Sequence, residues 1–360
     1  MVPRYFKEIH WPIFCLALLL AAVGVLEIYS ASLGAGGDWA AKQVLWYFIG
    51  AAAFFLALTV GYRFFLNYSY ILYVFTLLLL FWVAIFGDTY SGARRWITIG
   101  SFQIQPSEFC KIAVILALAN FLAGRSALFE QKRSFASAIF FVGFPTLLVL
   151  KQPDLGSALV FVPILFAMIF LWGIRIRYLL ALLLMGAASI PFLWHTLKPY
   201  QQKRILVFLN PKVDPIGASY TAIQSKIAVG SGGLFGKGWL GGTQTQLDFV
   251  PEHHTDFIFS VVGEEFGFLG AILLIFLFAL LITYAFQIIQ HTTDLRARFL
   301  ALGVASYLSF QVFVNMGMTI GLAPITGITL PFVSYGGSSL VANFFALGLL
   351  ASIYKERSIF

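Results

Sequence analysis

Charge is scarce in this 360-residue chain: Asp, Glu, Lys and Arg make up 11% of it, against 60% hydrophobic residues. A water-soluble domain of that composition would expose large apolar patches, so a soluble fold is excluded and the bilayer is the solvent. Cysteine is nearly absent. Cys15 and Cys110 are the two in the chain, and both fall inside apolar runs, away from oxidising enzymes and without metal-ligand spacing. No disulfide framework or thiolate chemistry follows. Runs of like charge are missing too, and with them any nucleic-acid motif, so no nucleic-acid partner is expected. The net charge of +8 reports membrane topology and contact with anionic lipid.

Long apolar runs are what the chain has in quantity. Ten are expected to cross as helices, near residues 11–33, 43–61, 69–87, 107–123, 137–150, 155–173, 178–196, 256–288, 299–321 and 335–354. About 20 apolar residues span the hydrocarbon core, and a helix satisfies its own backbone there. The expected fold class is therefore all-α, a polytopic integral membrane protein with one transmembrane domain over residues 1–360. The first run follows Arg4 and Lys7 and ends in YSAS, the outline of a secretory signal. Its length, Trp11 to Ile28, marks it instead as a retained helix.

With the N-terminus inside, the inner ends carry twelve cations: Arg4, Lys7, Arg63, Arg125, Lys132, Arg133, Arg175, Arg177, Arg296, Arg298, Lys355 and Arg357. The short outer loops carry Lys42, Arg94, Arg95 and Lys151. The positive-inside rule selects this orientation, with both termini cytoplasmic. The one long connection, residues 197–255, then lies outside and is the natural place for recognition. Its centre, GSGGLFGKGWLGG (230–242), holds seven glycines. Tight turns are expected there, close backbone approach to a ligand being the alternative. The stretch is no nucleotide loop, because the GxxxxGK spacing is not met and Gly238 follows the lysine. No solenoid repeat and no paired broken helices of a transporter appear.

Ionisable residues in spans are expensive, so each marks a functional site by default. Glu108 and Lys111 open the fourth span three residues apart, where they can pair along one helix face. Asp154 opens the sixth, in KQPDLGS (151–157), and Asp256 opens the eighth, followed one and two turns on by Ser260 and Glu264. All cluster in the outer half of the bundle. The run from Phe268 to Ile289 crosses alone, which lifts Asp256 roughly 18 Å above Phe268, to the headgroup level where a lipid-linked head would sit. Each has a structural rival: Asp256 as a helix cap, Glu108 as a first-turn acid, and the Glu108–Lys111 pair as a packed ion pair. His253 and His254 beside Glu252 lack the HExxH spacing of a zinc site. Arg94 and Arg95 can grip a pyrophosphate while Trp96 anchors at the interface, or all three simply hold the loop at the headgroups. Ala301, Ala305 and Ser309 form a small-residue face suited to packing within the bundle or to a partner.

Five stretches carry a resemblance. SGARRWI (91–97), QPSEFCK (105–111), KQPDLGSA (151–158), QSKIAVGSGGLFGKGWLGGTQTQLDFVPEHHTDFIFSVVGEEFGFLG (224–270) and ITGITLPFVSYGGSS (325–339) resemble the shape, elongation, division and sporulation (SEDS) family. The chain is most similar to its RodA branch. The resemblance implies a peptidoglycan glycosyltransferase that polymerises lipid II on the outer face of the bacterial inner membrane during elongation. It also implies a class B penicillin-binding protein as transpeptidase partner, among other elongation-complex membrane proteins. Asp256 matches the family's presumed catalytic acid, Glu108 and Lys111 its paired charges, and Asp154 its QPDLG acid. Asp256 would serve as base toward the acceptor hydroxyl or as ligand of a divalent cation, Mg or Mn. Lys111, Arg94 and Arg95 would neutralise the leaving pyrophosphate. Trp96, Asp154, Glu252, His253, His254, Ser260 and Glu264 complete the expected substrate-binding set. A lipid flippase and a scaffold without chemistry are the alternatives. Gathering of the charges on one side, rather than through the bilayer, weighs against flipping.

Overall fold

Apolar runs that find no water for their backbone must close their own hydrogen bonds, and this chain does so almost throughout as helices. The computed structural model describes residues 10–32, 38–90, 93–100, 102–125, 131–210, 214, 217 and 219–357. Arg4 and Lys7 lie outside the described residues. The chain runs through α1 (Trp11–Ser32), α2 (Trp39–Val60), the short α3 (Tyr62–Asn67) and α4 (Ser69–Phe86) into three strands. It continues as α5 (Pro106–Ala123), α6 (Gln131–Lys151), α7 (Leu155–Leu171) and α8 (Ile176–Thr196). Three helices of the long connection follow: α9 (Pro199–Leu209), α10 (Tyr220–Ser231) and α11 (Thr243–Gln246). The last are α12 (Ile258–Glu265), α13 (Gly267–His291), α14 (Leu295–Ile320) and α15 (Gly337–Arg357).

Among the described residues, eight helices are long and apolar enough to cross a membrane. The other two expected spans correspond to the shorter apolar helices Leu155–Leu171 and Ile176–Phe192. The centre of the bundle is α5, α14 and α15, which are buried over most of their length, whereas α2, α4 and α6 turn most of their surface outward. α15 packs along α2, α5 along α4, and α14 against α5, α7 and α13. Ala301 and Ala305 of α14 are fully buried, and the Ser309 hydroxyl donates to the Ala305 carbonyl at 2.7 Å. The small-residue face is thus used for packing inside the bundle.

Three local expectations are corrected. The stretch around SGARRWI is an antiparallel sheet of β1 (Asp88–Tyr90), β2 (Ala93–Ile99) and β3 (Phe102–Ile104), with Asp88 opposite Trp96 and Ile97 opposite Ile104. The long connection carries α9, α10 and α11 rather than running as a loop. The eighth span is not one helix from Asp256: the chain turns through residues 251–257, forms α12, breaks at Gly267 with φ +63°, and restarts as α13.

The glycine-rich segment explains how that break survives at a helix junction, where backbone groups lose their intrahelical partners. The N–H groups of Lys237 and Gly238 donate to the carbonyls of Glu264 and Glu265 at 3.1 and 3.0 Å. In return, Phe268 and Leu269 donate to the carbonyls of Gly233 and Leu234 at 2.9 and 3.2 Å. A Cβ at Gly236 would stand 2.0 Å from the Glu265 carbonyl oxygen, so only glycine allows this approach. The glycines therefore serve both turning and close approach, and what they approach is the chain's own broken helix.

Candidate active site

Asp154 caps α7: its carboxylate accepts the Ser157 N–H at 3.1 Å, as the N-cap position of a helix favours. It also accepts from the Gln105 side chain at 2.8 Å, and Arg95 Nη1 lies 3.7 Å away. Arg95 donates further to the Gln152 carbonyl at 3.2 Å and to the Pro153 carbonyl, tying the sheet to the start of α7. The two expected arginines are separated. Neighbours on a strand point to opposite faces, so Arg94 turns outward and donates to the Ile85 carbonyl at 3.2 Å. Trp96 is half-buried in the same strand.

Asp256 sits in the turn before α12. The N–H groups of Thr255, Asp256 and Phe257 converge on the Glu252 carbonyl at 3.2, 3.1 and 3.3 Å. From the C-terminal part of α14, the Asn315 amide donates to the Asp256 carbonyl at 2.9 Å and to the Ile328 carbonyl at 2.7 Å. Phe257, not Asp256, occupies the cap position of α12. The Asp256 side chain is thus left for other work. A Cβ built on Gly327 would lie 3.3 Å from Asp256 Oδ2 and 3.9 Å from Arg204 Nη1, so the carboxylate and the guanidinium both stand beside that glycine. Arg204, in α9, donates to the Ile325 carbonyl at 3.5 Å and lies over the Tyr200 ring, 5.9 Å from its centroid. With Arg95, Tyr200 and Gln201 it lines a cleft closed on the other side by Pro324, Ile325 and Thr326.

Burial pushes the Asp256 carboxyl up to about 6; Arg204 and Arg95 pull it down, while Glu252 and Asp154 push it further up. Arg95 thus lies beside Asp154 and, with Arg204, acts on the Asp256 carboxyl. Arg204 was not readable in the sequence, since a cation in a long outer connection is unremarkable. Asn315 did have a signal, as a polar residue in the last third of an apolar span.

The remaining expected residues stand away from the cleft or are already engaged. Lys111 and Glu108 form a 2.7 Å ion pair, and the Lys111 ammonium lies 5.2 Å over the Tyr307 ring. Lys111 is 1% exposed, so the pair is packed in the bundle and does not open into a wet cavity. Glu264 is fully buried and accepts from Lys237 Nζ at 2.6 Å, the Gln244 N–H at 2.8 Å and the Thr245 N–H at 3.1 Å. Burial alone would raise its pKa; these donors outweigh that and hold it below the usual carboxylate range. Ser260 is fully buried and donates to the Phe257 carbonyl at 2.6 Å. The expected shared face of Asp256, Ser260 and Glu264 fails because Asp256 precedes the helix. His253 is buried with its ring nitrogens 2.7 Å from the Val250 carbonyl and 2.8 Å from that of Ala31, which fastens the turn to α1. His254 packs against Trp39 and Tyr335, and burial lowers its pKa, so it is neutral at physiological pH. Glu252 is exposed beside Thr255.

Among the described residues no three His, Cys, Asp or Glu side chains converge as metal ligands. Beside Arg204 and Gly327 the chain offers a hard cation one carboxylate, Asp256. Mg²⁺ sites built this way take their remaining oxygens from phosphate and water.

The family described as Cell cycle protein (FtsW, RodA, SpoVE) matches residues 10–359. The chain is 38% identical over 358 residues to the peptidoglycan glycosyltransferase MrdB of Escherichia coli, covering 99% of this chain and 96% of that protein. It is 40% identical over 352 residues to the stage V sporulation protein E of Bacillus subtilis, covering 94% and 95%. Its structure is similar to a chain from a peptidoglycan synthase complex that coordinates polymerization and crosslinking, with a TM-score of 0.83, 33% identity and coverage of 97% and 98%. It is also similar to the rod shape determining protein RodA of Thermus thermophilus, with a TM-score of 0.73, 32% identity and coverage of 97% of both chains. Matched from the first described helix to the last, the chain belongs to the FtsW, RodA and SpoVE family of cell cycle proteins.

Proposed function

We propose that the chain is a peptidoglycan glycosyltransferase that polymerises lipid II during bacterial cell elongation. It sits in the cytoplasmic (inner) membrane with the cleft facing outward. The observation that carries the reading is the juxtaposition of Asp256 and Arg204 beside Gly327, next to the cleft that Arg204 lines. A base must stand near the acceptor hydroxyl and positive charge near the leaving group, and these two residues offer both within one site.

In the reaction the acceptor 4-hydroxyl oxygen forms a bond to the donor sugar's anomeric carbon. The bond from that carbon to the pyrophosphate oxygen breaks, and the lipid pyrophosphate leaves with the electron pair. The hydroxyl proton passes to Asp256, whose pKa of about 6 leaves it ionised yet basic at neutral pH. Arg204 and Arg95 face the departing pyrophosphate. In the alternative role, Asp256 would instead be the protein ligand of a divalent cation, Mg²⁺ or Mn²⁺, which would add charge neutralisation at the phosphate oxygens. Asp154 holds Arg95 in place. Glu108 and Lys111 brace the start of α5, from which Gln105 reaches Asp154. A class B penicillin-binding protein supplies the transpeptidase, a pairing supported by the likeness to a synthase complex that couples polymerization to crosslinking. Other elongation-complex membrane proteins complete the assembly.

The test uses the purified chain with its penicillin-binding partner and lipid II in detergent, where no second leaflet exists. Glycan chains on a gel are expected with the native protein and none with Asp256→Ala. Polymer from the variant at the native yield would overturn the assignment, and absence of polymer from the native complex would favour flipping or scaffolding.

A further inference from the structure

Arg204 and Asp256 belong to elements far apart in the chain, so their separation depends on whatever the two sides share. They share the segment that follows α14. Arg204 donates to the Ile325 carbonyl at 3.5 Å, and Gly327, beside Asp256 Oδ2 and Arg204 Nη1, lies just beyond it. From the side of α2 this segment is held firmly. The buried Gln43 amide donates to the Ser334 carbonyl at 3.2 Å and accepts the Gly336 N–H at 3.4 Å, and the Tyr47 hydroxyl donates to the Phe332 carbonyl at 2.6 Å. Within the segment, the Leu330 N–H donates to Ser334 Oγ at 2.9 Å and the Ser334 N–H to the Leu330 carbonyl at 3.0 Å, which closes a turn. Residues 325–336 thus form a rail fixed to the bundle, with Arg204 attached at one end.

The Asp256 turn is tied to that rail at two points. One is backbone: the Tyr335 N–H donates to the His254 carbonyl at 3.0 Å. The other is Asn315, fully buried in α14, whose amide N–H groups go to the carbonyls of Asp256 at 2.9 Å and Ile328 at 2.7 Å. Two carbonyls converging on one terminal atom require that atom to be the nitrogen, since an amide oxygen has no proton to give them. Among the described residues no other side chain hydrogen-bonds to both the turn and the rail. A carboxylate stands where its own backbone and two side-chain torsions put it, and here one amide holds the Asp256 backbone to the neighbour of Gly327. We infer that Asn315 is a positioning residue: by clipping the Asp256 carbonyl to that of Ile328 it sets the separation of Asp256 from Arg204. The inference rests on the polymerase reading of this site and holds for either role of Asp256, base or cation ligand. Because the tie between His254 and Tyr335 remains without Asn315, the fold outlasts its loss while Asp256 loses its bearing.

The purified chain with its penicillin-binding partner is assayed in detergent for lipid II turnover and, separately, for lipid II binding. Asn315→Leu removes both donors at similar volume. Turnover per lipid II-binding chain should fall on the order of 100-fold, with affinity for lipid II within about twofold, because misplacing a reacting group costs rate rather than binding. Ser225→Ala deletes a comparable buried bond to α14, from Ser225 Oγ to the Thr319 carbonyl at 2.9 Å, but touches neither tie, and should keep the native turnover. In hydrogen exchange, Asn315→Leu should speed residues 252–258 at least about tenfold and leave residues 328–336 at the native rate, whereas general loosening would speed both. Asn315→Ser, too short to reach either carbonyl, serves for the same readouts if Asn315→Leu does not fold. Native turnover from the Asn315 variant beside none from Asp256→Ala would overturn the positioning role alone. So would binding lost in step with turnover, or faster exchange in both segments. No polymer from the native complex would overturn the polymerase reading and this inference with it.

Discussion

At the scale of single residues, the site turns on how far burial can lift one carboxyl against two guanidinium groups. Asp256 moves from 3.8 to about 6 because desolvation outweighs Arg204 and Arg95. As a base it must be ionised, so polymerisation should fall about tenfold per pH unit below roughly pH 6 and level off above it; a flat profile down to pH 5 would remove Asp256 from that role. The same shift makes Asp256 a stability cost. A carboxyl whose folded pKa is raised favours the fold when protonated, and that contribution is present in full below about 3.8 and lost as pH rises through about 6. Asp256→Asn should therefore raise stability at pH 7.5 by about 1–2 kcal/mol after discounting for partial exposure, and the gain should vanish near pH 3.5. Thermal melts of both proteins across that range check the sign. The neighbouring arginines divide differently. Arg204→Met should lower polymerisation about 100-fold, as loss of a group facing the developing charge does. Arg94→Met should leave the rate within about twofold, because Arg94 faces away from the cleft.

At the scale of elements, the informative feature is the interruption of the eighth span. Hydropathy alone favours one continuous helix there, and Gly263 with Gly267 marks a place to bend without saying that the helix stops. The stop depends on backbone donors and acceptors arriving from residues 233–238, which are about 30 positions earlier in the chain. A Cβ at Gly267 would meet the Gly236 nitrogen at 2.3 Å, and φ of +63° disfavours any other residue. Gly267→Ala should cost at least about 2 kcal/mol and should open the α12 end to backbone hydrogen exchange. Protection unchanged from the native protein would mean that the junction is held by side chains such as Glu264 instead. The sheet at 88–104 teaches a related lesson. Its alternating faces split Arg94 from Arg95, and no count of cations per loop anticipates that.

For the whole molecule, charge topology is the property that composition decides and the fold inherits. The expected orientation puts Leu247, 65% exposed beside the cleft turn, outside, and Arg133 inside. In a Cys15→Ser/Cys110→Ala background, Leu247→Cys should react with a membrane-impermeant thiol reagent in intact spheroplasts, and Arg133→Cys only after lysis; the reverse pattern would invert the protein. The class of fold and the positions of most of the apolar segments were legible in the amino-acid sequence, which also singled out Asp256, Asp154 and Arg95 as candidates. Apolar length and charge distribution are local properties, and a bilayer leaves few other ways to satisfy the backbone. The tertiary structure alone decided which charges meet. It brought Arg204 from α9 to Asp256 beside Gly327, and it set Asn315 of α14 against the turn that carries Asp256. It also withdrew His253 and Glu264 into contacts of their own. Such meetings join residues tens to more than two hundred positions apart, and they follow from packing and hydrogen-bond satisfaction across the bundle, which no window of sequence contains.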